Sequence, residues 1–312
     1  MSKMTSIYLL SGFLGSGKTT LLTGMMEYWN TQGIKAAVLM NELGEVNLDG
    51  VVVGQDVPMK ELLSGCICCT VRGDFGYQLH ELMEEHEPDV VLVESTGVAN
   101  PMEVLDELAE LSLYKPIELK GVITVVDAYH LSELLAKGKG PTFRLMQDQI
   151  RCASLLILNK TDLVNLEDVE RVREALEDWN KRAPIIPAIR CQIDPALLIG
   201  NTVLQNKEAT EDSRESDGSV HGHHHMLVYT HPLTGPVDSY AFEAFLQALP
   251  PEIHRAKGIV TFSDTASRYL FQFAYRQAEF TKINPQGEIG DVAVFIGEPF
   301  SKEQLQSKLN SM

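Results

Sequence analysis

Three cysteines stand within four residues: Cys66, Cys68 and Cys69, in Ser64–Asp74 (SGCICCTVRGD). Thiolates are soft ligands that favour Zn²⁺, Cu⁺ or Co²⁺ over Mg²⁺. Gly65 gives the backbone freedom to turn them towards one ion. Adjacent Cys68 and Cys69 do not both ligate comfortably, which suggests two thiolates completed by another group. Glu42, just after the second expected strand, is the best completing candidate. Vicinal thiols can also oxidise, and free cysteine also packs in cores, so redox and structural readings stand beside the metal reading.

A second stretch, Gly12–Thr19 (GFLGSGKT), matches G-x-x-x-x-G-K-[ST]. Gly12, Gly15, Ser16 and Gly17 would let backbone N–H groups close around phosphates at a helix N-terminus, with Thr20 in the helix's first turn. Lys18 would reach the β and γ phosphates, and the Thr19 hydroxyl would ligate Mg²⁺. Asn159–Asp162 (NKTD) addresses the base. The Asp162 carboxylate can accept from guanine N1–H and the 2-amino group, a donor pair that adenine lacks. Asn159 addresses the other edge or braces the loop, and the Lys160 stem can cover the ring. In Glu94–Gly97 (ESTG), Glu94 is placed to hold Mg²⁺ directly or through water, and Gly97 lets the backbone approach the γ phosphate. Ser95 or Thr96 also reads as a helix cap. Lys18, Thr19 and Glu94 are therefore the expected catalytic set.

These residues need a scaffold. Apolar runs at 6–10, 36–40, 90–93, 121–126, 155–158 and 185–189 read as buried parallel strands. Helical patterns between them predict an α/β fold: a doubly wound, mostly parallel sheet with functional residues at the strands' C-terminal ends. The cysteines then fall between the second and third strands. Cys152 and Cys191 each read as core residues on an apolar strand or helix.

The same motifs, in this order and spacing, resemble the CobW-type family of P-loop GTPases, related to UreG and HypB: LLSGFLGSGKTTLL, SGCICCTVRGD, VESTGVANP and LNKTD, with PPEIHRAKGIV similar to that family's C-terminal domain. The resemblance covers nearly the whole chain. It implies a low-turnover GTPase that uses GTP and Mg²⁺ to deliver a transition metal, with an open ligand position at the metal, as transfer requires. Zn²⁺ is the expected cargo, with Co²⁺ the rival as in a cobalt chaperone for cobalamin synthesis or a cobalt enzyme. A regulatory GTPase with a structural or redox cysteine loop is the alternative of another class. The expected partner is a client metalloprotein or metalloenzyme; a GTP-dependent homodimer is a further expectation.

The domain expectation is a P-loop GTPase domain over 1–205, a linker over 206–226, and a small α+β domain over 227–312. The linker is polar and acidic, and His221, His223, His224 and His225 form a weak metal-capture tract within it. A tract of this kind reads as native because engineered tags are usually terminal. Strands in KGIVTF, YLFQFAYR and DVAVFIG, with helices at 239–249 and 303–309, give the last domain no catalytic constellation. It reads as a partner-recognition or covering module.

Composition narrows the partners. The 312 residues carry 26 Lys+Arg against 43 Asp+Glu, a formal charge of −17. That field opposes phosphate backbones and anionic lipid, so nucleic acid and membrane are not expected partners. No apolar run approaches the ~20 residues of a bilayer span. The N-terminus lacks a signal-peptide pattern, which predicts a cytoplasmic chain.

Overall fold

The structure, a computed structural model, describes residues 4–40, 58–61, 72–97, 99–138, 140–199, 226–265, 267–284, 290–298 and 300–312. In the first half, β1 (Thr5–Ser11), α1 (Lys18–Thr31), β2 (Ala36–Met40), β3 (Met59–Glu61), α2 (Arg72–His86), β4 (Val90–Glu94) and α3 (Pro101–Leu111) follow in order. They continue as β5 (Ile117–Asp127), α4 (Ala128–Lys137), α5 (Pro141–Arg151), β6 (Leu155–Asn159), α6 (Leu166–Trp179) and β7 (Ile185–Pro187). The seven strands pair in the order β3-β2-β4-β1-β5-β6-β7, every pair parallel.

Strands buried on both faces explain the continuous apolar runs. In β1, Ile7 and Leu9 pack with α2 and α3, while Tyr8 and Leu10 pack with Leu21, Leu22 and Met25 of α1. Past β5, Val126, Leu156 and Leu158 face α4, α5 and α6. The sheet's winding reverses around β1, so its C-terminal end opens a crevice for a ligand.

Two expectations need correction. The run at 185–189 pairs only over Ile185–Pro187, and Ile189 is half exposed. More consequential is β3, a three-residue edge strand (MKE) too short to carry a strand's apolar alternation. It pairs with β2 through Val38↔Met59 and Met40↔Glu61. The described residues on either side of the cysteines are therefore the end of a strand, Glu61, and the start of a helix, Arg72. Cys66, Cys68, Cys69, Glu42 and the tract His221, His223, His224 and His225 lie outside the described residues.

The second sheet holds β8 (Leu227–Pro232), β9 (Ile253–Phe262), β10 (Ser267–Ala274), β11 (Gln277–Ile283) and β12 (Val292–Gly297), ordered β11-β10-β9-β12-β8 and antiparallel. β8 and β11 add to the three strands expected. α7 (Ser239–Gln247) and α8 (Lys302–Asn310) cover one face over a cluster of Phe242, Phe245, Phe262, Phe271 and Phe295. Val292, Val294 and Ile296 on the other face join the core that contains α3. Arg255 pairs with Asp106, Lys257 Nζ donates to the Asp106 carbonyl at 3.0 Å, and Thr230 Oγ1 donates to Ser112 Oγ at 3.2 Å. One helix is thus shared by both sheets.

Cys152 follows α5 and is buried in the shared core; Cys191 is buried on the α1 side. Core packing is right for both, but neither is on a strand or helix: Cys152 sits in the turn that ends α5 and Cys191 in a turn after β7. Burial pushes the Cys152 thiol up to about 12 and the Cys191 thiol up to about 11. Raised folded values mean full stabilisation below the unfolded thiol's pKa of ~8.5 and progressive loss up to the folded values. Unfolding titrations should therefore show stability falling between about pH 9 and 11, by up to ~1.4 kcal/mol per pH unit for each thiol. Replacing both by alanine should flatten that limb, and an unchanged alkaline slope would refute the assignment.

Candidate functional site

The turn after β1 is built from residues whose backbone must do what a side chain forbids. Gly12, Gly15 and Gly17 adopt φ of 134°, 72° and 114°. A Cβ on Gly12 would lie 2.3 Å from the Val125 carbonyl oxygen. One on Gly17 would lie 2.6 Å from Asn159 Nδ2 and 2.7 Å from Cys191 Sγ. The loop is therefore wedged between the ends of β5 and β6, where only glycine fits. Lys18 is buried and donates from Nζ to the Gly12 carbonyl at 2.9 Å and to that of Phe13 at 3.3 Å. Phe13 stacks on His130 of α4 with centroids 5.1 Å apart.

The residues suit a polyphosphate. α1 has no acidic residue in its first turn and no side-chain cap, so its N-terminal N–H groups and positive dipole end stay available to an anion. Ser16 Oγ is buried with no hydrogen-bond partner among the described residues, as expected where a ligand oxygen completes it. Thr19 is half-buried and Thr20 exposed in the same turn.

Glu94 ends β4 at 7% exposure, in register with Leu10 of β1 and Met40 of β2. That places its carboxylate at the mouth of the crevice, with the chemistry to hold Mg²⁺. The expected cap by Ser95 or Thr96 is not formed: Asn100 caps α3, accepting from Met102 N at 3.0 Å. Ser95 instead donates from both N and Oγ to the Leu10 carbonyl, at 3.0 and 3.1 Å. A Cβ on Gly97 would stand 2.5 Å from Leu14 N, so this loop touches the phosphate loop directly.

At the base end, the two alternatives for Asn159 resolve towards bracing. Its Nδ2 donates to the Ser16 carbonyl at 2.7 Å, and its Oδ1 accepts from Cys191 N at 2.8 Å. Lys160, at φ 62°, reaches Asp127 Oδ2 at 2.5 Å, while Asp127 Oδ1 caps α4 through His130 N at 3.0 Å. Asp162 is exposed in the turn Thr161–Leu163, with its carboxylate open to a ligand. Thr161 Oγ1 donates to the Ala188 carbonyl at 3.2 Å and ties this turn to the one after β7.

Two contributors were missed from the sequence. Cys191 packs against the phosphate loop although no motif marks it, and Arg190 and Cys191 hold left-handed backbone without being glycine. Gln149 of α5 is buried beneath the Glu94–Asn100 loop, looking in sequence like one more helical polar residue. Among the described residues, no group of three or more His, Cys, Asp or Glu is placed to hold a metal.

If Asp162 reads guanine, Asp162→Asn should weaken GTP by about 2–3 kcal/mol and improve XTP, whose 2-oxo group can accept a hydrogen bond. Calorimetric titration with both nucleotides checks this; unchanged GTP affinity would remove the assignment.

Known proteins share both halves of this chain. Residues 6–187 match the model of the CobW/HypB/UreG nucleotide-binding domain, and residues 228–312 that of the cobalamin synthesis protein cobW C-terminal domain. The chain is 29% identical to the zinc chaperone YjiA of Escherichia coli, over 97% of this chain and 96% of that one. It is 28% identical to the zinc chaperone CobW of a Sinorhizobium species, over 85% and 83%. The crystal structure of Zn(II)-bound YjiA GTPase superposes with a TM-score of 0.51 at 26% identity, covering 100% of this chain and 99% of that one. A zinc-bound triple variant of YjiA, with one glutamate and two cysteines replaced by alanine, superposes at 0.52 with the same identity. With both of its sheets matched and the phosphate loop and NKTD turn in contact, the chain belongs to the CobW/HypB/UreG family of GTPases.

Proposed function

We propose that this GTPase binds Zn²⁺ at the segment holding Cys66, Cys68 and Cys69 and passes it to a client metalloprotein under control of the bound nucleotide. The observation that carries this reading is the pairing of β3 beside β2. Met40 and Glu61, the last described residues before Glu42 and the cysteines in sequence, end neighbouring strands at the same end of the sheet as Glu94 and the phosphate loop. Met40 and Glu61 are direct partners. Glu42 follows two residues after the first and Cys66 five after the second. The YjiA variant replaces one glutamate and two cysteines, the same residue types. That it is still zinc-bound supports further weak sites in such proteins, a role the tract His221, His223, His224 and His225 suits here.

On the nucleotide side, Lys18 offsets charge on the β and γ phosphates, and Asp162 selects guanine. Thr19 and Glu94 would hold Mg²⁺, which when bound neutralises charge developing on the phosphoryl oxygens. No arginine is assigned as a finger, so slow turnover is part of the proposal. A GTP-dependent homodimer would meet on the same edge, where Leu14, Tyr129, Leu163 and Leu166 are exposed. Among the described residues no helix is long and apolar enough to cross a membrane; a cytoplasmic site of action belongs to the proposal.

Order imposed on the loops after β2 and β4 by a γ phosphate should assemble the thiolates, and hydrolysis should loosen them. Couplings of this kind amount to about 1–3 kcal/mol, so Zn²⁺ or Co²⁺ should bind roughly 5- to 150-fold more tightly with Mg²⁺ and a non-hydrolysable GTP analogue than with GDP. Cys66→Ser should remove both the tight site and the coupling while sparing nucleotide binding. A competitive metal titration in the two nucleotide states checks this, and equal affinities would leave the cysteines a structural or redox role. In the same assay, deleting 220–225 should lower the number of weakly held ions and leave the tight site intact.

A further inference from the structure

Gln149 lies on the buried side of α5 beside Phe143, Met146 and Ile150, where the helical period calls for an apolar residue. It is 1% exposed. A buried primary amide is costly unless its donors are met. Here Nε2 donates to the Gly97 carbonyl at 3.1 Å and to the Ala99 carbonyl at 3.3 Å. The backbone carbonyl of Gln149 accepts from Thr124 Oγ1 of β5 at 3.0 Å, so the helix turn carrying the amide is itself pinned to the sheet.

The two accepting carbonyls belong to the loop between Glu94 and α3, which has no ladder of its own. At its start Ser95 is tied to Leu10, and at its end Asn100 caps α3. Between these points Gln149 is a side-chain anchor from a different element. Gly97, the residue pressed against Leu14 of the phosphate loop, has its carbonyl held on the side of α5. Holding that carbonyl restricts the backbone rotation open to Gly97 itself.

We propose that Gln149 is a positioning residue for GTP hydrolysis: its amide holds the Gly97 and Ala99 carbonyls so that the loop bearing Glu94 presents one conformation to the phosphate end of the site. This rests on the reading that the Glu94–Asn100 loop serves the γ phosphate. The residue touches no nucleotide position; it acts through the loop. Its loss should reach the chemical step and leave recognition of guanine alone.

The experiment uses the full chain with GTP and Mg²⁺. Gln149→Met keeps the volume and removes both donors; kcat should fall about tenfold, with KM for GTP and affinity for GDP within about twofold. Gln149→Glu separates donation from packing. As a carboxylate it sets negative oxygens against two carbonyls, whereas protonated it can donate one hydrogen bond. Burial and those carbonyls raise its pKa. Its kcat relative to wild type should therefore climb, by about threefold or more, as pH falls from about 8 to about 6, while the Gln149→Met ratio stays flat. A flat Gln149→Glu ratio overturns the proposal, and does so even if Gln149→Met fails to fold. So does a Gln149→Met kcat within about twofold of wild type, or a parallel loss of kcat and GDP affinity. Glu94→Gln is the companion variant. Full hydrolysis in it would overturn the reading of the loop, whereas lost hydrolysis there with normal Gln149 variants would sink only the positioning role.

Discussion

The side-chain amide of Asn159 joins the two ends of the nucleotide site. Its nitrogen holds the Ser16 carbonyl in the phosphate loop and its oxygen holds the N–H of Cys191 in the turn after β7. An exposed hydrogen bond contributes little net, but a fully buried amide with both ends engaged leaves two unsatisfied groups if it is lost, each costing about 1–3 kcal/mol. The register of the sheet makes the strut possible. Asp127 and Asn159 are direct partners at the ends of β5 and β6, and Val125, two residues before Asp127, closes over Gly12. The phosphate cradle, the base turn and the cap of α4 then share one frame, and displacement of any of them strains the others.

A second constraint runs through α3. Its N-terminus is set by the Glu94–Asn100 loop, and its length is gripped by β8, β9 and β12 of the C-terminal sheet. Burial of Val292, Val294 and Ile296 against it supplies the apolar part of that grip, and Asp106 and Ser112 supply polar registration. A shift of the loop in response to nucleotide would meet a packed helix that does not deform gradually, so the second domain is placed to feel the nucleotide state as a rigid-body change. Partner recognition and covering of the GTPase face both stay open for this domain, and its contacts reach α3, the helix that the Glu94–Asn100 loop leads into, as well as β5.

Much of this was legible in the residues. The glycine loop, the lysine, the NKTD turn and the continuous apolar strands each have a local physical signature, and the fold class and family follow from them. What was hidden has no local signature. β3 is too short and too polar to alternate; only its pairing to β2 makes it a strand. Ser95 and Thr96 are both good caps by residue type, yet Ser95 is drawn into the ladder end at Leu10 and Asn100, just before Pro101, caps α3. Gln149 acts through contacts across 52 and 50 residues of sequence, and Cys191 through one across 32 and through its backbone conformation, none of which a motif records.

Within the site, the two ends reach positive φ in different ways. At the phosphate end the ligand is met by backbone N–H groups at close range, and glycine reaches positive φ there with no side chain to clear. At the base end Lys160, Arg190 and Cys191 hold φ of 62°, 52° and 51° with side chains intact, each at a cost of about 1–2 kcal/mol. Glycine would relieve that strain but would remove the Lys160 ammonium from Asp127 and the Cys191 sulfur from its packing against the phosphate loop. On the reading that a planar base sits here, side chains are needed to cover and flank it, which strained non-glycine residues supply. The interactions that outweigh it are those made to the neighbouring strand ends: Lys160 to Asp127, Cys191 N to Asn159, and Thr161 to Ala188. The NKTD turn is therefore stable only when the parallel sheet beneath it is in register, so any recognition it performs depends on the integrity of the fold.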